Sequence, residues 1–177
     1  MSEIFYFNQG DYEGADICGE DYRELINYCF KHCTAFSFSF HSKESESYLG
    51  NVTPFFEKSL LPEDYTGKNG IIWLQHKNIY FCNEQLRSLL LQNVQSLFDW
   101  KLSGNKAIPE PEDLCFYRQD GSGMFWSCTH EGECVFYPRD EEERPNFILR
   151  YGWEMLKPEH PYYEGFAMYR QKFSIYE

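Results

Sequence analysis

The chain has 177 residues, of which 42% are hydrophobic and 19% aromatic, and a formal net charge of −12. That much apolar surface offsets chain entropy and excludes global disorder, and the length suits one domain with a sizeable core. Residues 1–108 carry 9 basic and 14 acidic side chains and residues 109–177 carry 7 and 14, with no Lys/Arg cluster to neutralise phosphates, which excludes nucleic acid and an anionic membrane surface as partners.

Residues 3–7, EIFYF, read as a first or edge strand, followed by a Gly- and acid-rich loop. Tyr22, Leu25, Ile26, Cys29, Phe30 and Cys33 recur at helical spacing and predict a helix over 20–33. Asp21 suits its amino end, and Lys31 and His32 suit its carboxyl end. The period then changes to two. Phe36, Phe38 and Phe40 face one way and Ser37 and Ser39 the other, the pattern of a half-buried strand.

Pro54 and Pro62 punctuate residues 48–70, a loop-rich connection with one short helix expected near 54–61. Residues 72–74 and 79–82 read as short strands around a polar turn. The stripe Leu86, Leu89, Leu90, Val94, Leu97 and Phe98 predicts a second amphipathic helix that starts after Asn83 as its N-cap. The Pro- and acid-rich stretch that follows is where a subdivision would fall, near 101–113, although one domain over 1–177 is the simpler reading.

Three short apolar runs, 114–118, 124–128 and 134–138, are separated by DGSG and THEGE and predict an antiparallel meander. Residues 139–146 read as a charged loop or helix start. Residues 147–156 read as a strand or brief helix weakened by Gly152, and Pro158 and Pro161 mark a turn before an aromatic tail. Together these elements predict an α+β fold, a mainly antiparallel sheet packed against two or more amphipathic helices. Neither a βαβ alternation nor a Gly-rich phosphate loop occurs.

The seven cysteines, an odd number in a chain large enough to fold without staples, read as reduced thiols. With no basic-then-apolar leader and no apolar run near the ~20 residues of a membrane span, the expected location is the cytoplasm. Cys29 and Cys33 share a helical face with Leu25 and Ile26, which core packing explains without a metal.

The densest set of reactive groups is CTHEGEC, residues 128–134. Cys128, His130 and Glu131 are the residue types of a thiol–imidazole site with an acidic orienter, and Cys128, His130 and Cys134 are those of a partial zinc site. Strand alternation opposes their convergence, so an ordinary hairpin is the default. The acids Glu110, Glu112 and Asp113 read as a solvated surface, with no cleft to split their roles as acid and base. Asp140, Glu141, Glu142 and Glu143, with Trp126 and Tyr137 nearby, read as a docking surface for a basic protein.

The leading functional expectation is therefore an acidic protein-binding module, of the inhibitor or immunity type, with no cofactor. The alternatives are a small enzyme or metal site centred on Cys128 and His130, and a ligand or structural module with an aromatic-lined pocket.

Overall fold

Residues 3–12, 16–40, 56–60, 76–98, 112–150 and 152–167 are described by the structure, a computed structural model. They contain strands β1 (Ile4–Asn8), β2 (Ala35–Phe40), β3 (Phe56–Leu60), β4 (His76–Phe81), β5 (Glu112–Tyr117), β6 (Gly123–Cys128), β7 (Glu133–Phe136) and β8 (Glu154–Leu156). The helices are α1 (Gly19–His32), α2 (Glu84–Asn93) and the short α3 (Tyr163–Ala167). All eight strands form one sheet in the order β3-β4-β2-β5-β6-β7-β1-β8, and every neighbouring pair is antiparallel. The α+β architecture is the one expected from the sequence, and β5, β6 and β7 form the expected meander.

Two departures have clear physical causes. The short helix expected near 54–61 is strand β3, whose backbone pairs with β4 from Phe56↔Tyr80 to Leu60↔Lys77. A long-range ladder overrides a weak local preference there. β1 is the first strand but not an edge, because it lies between β7 and β8. The strand expected over 72–74, the tail beyond 167 and most of the 101–113 connection lie outside the described residues.

α1 buries Tyr22, Leu25, Ile26 and Cys29, the face read from its period. α2 begins as expected, with the Leu86 amide donating to Asn83 Oδ1 at 2.9 Å, but ends at Asn93 rather than running on to Phe98. Val94 is extended, and the chain turns to meet residues 16–19. The Leu97 and Phe98 amides donate to the Asp16 carboxylate at 3.1 and 3.2 Å, and Ser96 bridges Cys18. Val94 and Leu97 stay buried, so the apolar stripe is real although its last turn is not helical.

α1 and α2 cover one face of the sheet, where they form an aromatic core with Phe36, Phe38, Tyr80, Phe116, Phe125 and Phe136. Phe36 stacks on Tyr80 at 5.3 Å between centroids, and Phe147 meets Phe136 edge-on at 5.7 Å. Burying each large apolar side chain stabilises by about 1.5–3 kcal/mol, and favourable ring geometry adds roughly 0.5–1.5 kcal/mol. The other face is also covered: Ile4, Tyr6, Val135 and Tyr137 pack with Phe166 of α3, and Ala35, Ile79, Cys115 and Tyr117 form a third cluster. Ser37 and Ser39 are accordingly fully buried, so β2 is buried on both faces rather than one. Ser37 Oγ shares a 2.9 Å hydrogen bond with the Tyr117 hydroxyl.

Candidate metal centre

The site begins with an irregularity in β5. Along β2 the register runs Ser37↔Cys115 and then Ser39↔Glu112, so β5 holds one more residue than its partner. Asp113 lies in this bulge with φ +55, a left-handed conformation that Asp and Asn tolerate better than most side chains. Bulges re-aim side chains, and Asp113 is held against the end of β6 by a reciprocal pair of bonds. Its amide donates to Thr129 Oγ1 at 3.0 Å, and the Thr129 amide donates to its Oδ1 at 3.1 Å.

Beyond Cys128 the chain makes a single 3-10 turn, Thr129–Glu131, and returns through Gly132 at φ +67 into β7. The turn changes the geometry available to CTHEGEC. The turn folds His130 back, so that its Nδ1 and Nε2 lie 3.6 and 3.7 Å from Cys128 Sγ. The turn allows the approach that alternation in a continuous strand would oppose.

Ligand atoms of Asp113, Cys128 and His130 all lie within 4.8 Å of one another, and among the described residues no other group of three or more His, Cys, Asp or Glu side chains does so. Asp113 and Cys128 are buried and His130 is exposed, giving two inner donors beneath an outer one that faces solvent. The residue that comes close to Cys128 and His130 is therefore Asp113, and not the Cys134 grouped with them from the sequence. Cys134 pairs with Ser127, one residue out of phase with Cys128, and is fully buried in the helix-side core. Cys128 pairs instead with Glu133, whose carboxylate accepts from the Tyr6 hydroxyl at 2.6 Å and from Asn8 Nδ2 at 3.0 Å.

Burial pushes the Cys128 thiol up to about 12, and the negative charge of Asp113 adds to the effect. The backbone N–H of Glu131 offsets only part of it. An uncomplexed nucleophilic cysteine needs the opposite environment, one that favours the thiolate near neutral pH. Glu131 is exposed, with Oε1 3.5 Å from His130 Nε2.

The acidic docking surface is only partly present. Tyr137 is buried, its hydroxyl donating to the Phe166 carbonyl at 2.9 Å, and Trp126 is half-buried between the two clusters on the second face. Glu143 turns inward: its Oε2 accepts from Arg118 Nη2 at 2.7 Å and from the Arg139 amide at 2.9 Å, while Tyr28 donates to its carbonyl. Asp140 caps the same turn by accepting from the Glu143 amide. Asp140, Glu141 and Glu142 are exposed, and Glu141 lies 3.6 Å from Arg144.

Asp113 is the member that sequence reasoning placed elsewhere, among surface acids. Its one local signal is an acid directly before an apolar strand run; the β5 bulge and the bonds to Thr129 bring it to the site.

Among the described residues no helix is long and apolar enough to cross a membrane. No protein family matches the chain, and no curated protein or solved structure matches it either.

Proposed function

We propose that the protein is a metal-binding α+β module that holds a zinc-like divalent ion through Asp113, Cys128 and His130. The observation that carries this reading is the spacing of sulfur and nitrogen. Zn–S bonds of about 2.3 Å and Zn–N bonds of about 2.0–2.1 Å at a tetrahedral angle place the two donors about 3.6 Å apart. Cys128 Sγ and His130 Nδ1 are 3.6 Å apart. A soft sulfur, an imidazole and one carboxylate suit zinc better than magnesium or calcium, which prefer sets of oxygen donors. A bound dication also supplies the counter-charge that a buried thiolate beside a carboxylate requires. Three protein donors leave a fourth position toward solvent on the His130 side, for water or an incoming ligand.

Cobalt substitution tests the reading. A thiolate-to-cobalt charge-transfer band is expected in the wild type, lost in Cys128→Ser and weakened with at least ~10-fold lower affinity in Asp113→Asn. Asn retains a side-chain oxygen for the Thr129 amide, so this variant separates the ligand role from the fold. The band should survive in Cys134→Ala. Metal binding that ignores Cys128→Ser would overturn the proposal.

A second reading keeps the acidic protein-binding role, supported by the net charge of −12 and the exposed Asp140, Glu141 and Glu142. It requires association with a basic protein that weakens as salt rises and on reversal of these three charges. Either role suits a reducing compartment such as the cytoplasm, where the seven free cysteines would remain thiols.

A further inference from the structure

From the geometry around the imidazole we infer that Glu131 is the positioning residue of the centre: it fixes the His130 tautomer so that Nδ1, and not Nε2, meets the metal. The inference rests on the metal reading above and adds a ligand atom and an outer partner to it. Distance to the sulfur does not choose between the nitrogens, since Nδ1 and Nε2 lie 3.6 and 3.7 Å from Cys128 Sγ. The carboxylate does choose. Glu131 Oε1 lies 3.5 Å from Nε2, an ion-pair distance at which the carboxylate's negative charge favours the proton on Nε2 and leaves the lone pair on Nδ1. Metal-bound imidazoles commonly donate their second N–H to a carboxylate, which fixes the ring and raises its basicity.

The local chain favours this arrangement. Glu131 and His130 are consecutive in the same 3-10 turn, so one backbone conformation sets the ring over Cys128 and the carboxylate beside its far nitrogen. The two inner donors are already fixed, Asp113 by its reciprocal bonds to Thr129 and Cys128 by its place at the end of β6. The exposed ring is the donor that most needs an orienting partner. Glu131 is itself exposed, with 63% of its side-chain surface open, so replacing it perturbs the ring without removing core packing.

The test reads the tautomer and the metal separately. Long-range proton–nitrogen spectra of the metal-free protein, at a pH where His130 is neutral, should show the Nε2–H form in the wild type. Glu131→Ala should give a mixed population, and Glu131→Gln, which keeps an acceptor oxygen, should restore the Nε2–H form. Zinc titration against a chromophoric chelator should show roughly 10-fold or greater loss of affinity in Glu131→Ala and a smaller loss in Glu131→Gln. A wild-type Nδ1–H tautomer, or an alanine variant unchanged in both tautomer and affinity, overturns the inference. A wild type with the expected tautomer that binds no zinc overturns the metal reading instead, and with it the ligand-positioning role of Glu131.

Discussion

Two backbone positions with positive φ frame the centre, and their residue types fit that conformation for different reasons. Gly132 closes the turn at φ +67, and a Cβ there would come within 2.8 Å of the Gln9 side chain; the Gln9 backbone N–H donates to the Gly132 carbonyl. Gly132→Ala therefore combines left-handed strain with a clash against Gln9, the residue that follows β1. We expect a loss of about 1–3 kcal/mol in urea unfolding and, under the proposed metal role, weaker zinc binding because the turn carrying His130 must shift. Asp113 uses its side chain to hold the strained position, through the Thr129 amide. The cysteine and histidine of this centre were legible from CTHEGEC alone. Asp113 was not, because it lies 15 residues before Cys128 and reads locally as one more acid in a polar segment.

At the scale of elements, α1 and the start of α2 follow from local chemistry: apolar spacing for the first and the Asn83 cap for the second. Asn83→Ala should cost about 1 kcal/mol, seen as a lower urea midpoint with little change in the slope of the transition. The end of α2 was not legible, since nothing between Val94 and Phe98 forbids another helical turn. It stops because the amides of Leu97 and Phe98 find the Asp16 carboxylate, some 80 residues earlier in the chain. The same distinction separates β2 from β3. The alternating Phe36, Phe38 and Phe40 announce a strand, whereas residues 56–60 become one through pairing with β4.

The whole molecule places most of its cysteines where water does not reach. Burial raises the thiols of Cys29, Cys33 and Cys134 well above their ordinary value, pushes Cys82 up to about 12, and raises the Tyr28 hydroxyl to about 12. A group bound more tightly to its proton in the folded state contributes its full stability below its unfolded pKa and loses it as pH rises toward the folded value. The unfolded thiols titrate near 9 and the tyrosine near 10. Stability of the metal-free protein should therefore hold steady to about pH 8 and fall from pH 9 upward, by at most about 1.4 kcal/mol per pH unit for each fully buried thiol. Urea midpoints at pH 7.5, 9 and 10.5 measure this, and a midpoint unchanged at pH 10.5 would contradict the burial of these groups. Arg118 is buried as well, but compensated: it donates to the carbonyls of Gly123 and Tyr137 and to Glu143, tying the meander to the 139–143 turn.

By itself the sequence determined the α+β class, the two amphipathic helices, the β5–β7 meander and the presence of Cys128 and His130 at one hairpin. Those features rest on periodicity, caps and turn residues, which act over a few neighbours along the chain. Only the tertiary structure decided that Cys134 faces away, that Tyr137 and Glu143 serve the interior, and that Asp113 joins the cysteine and histidine. The first and last of those outcomes depend on strand register, where a single extra residue in β5 changes which side chain faces which neighbour, and register is set by packing across the whole sheet.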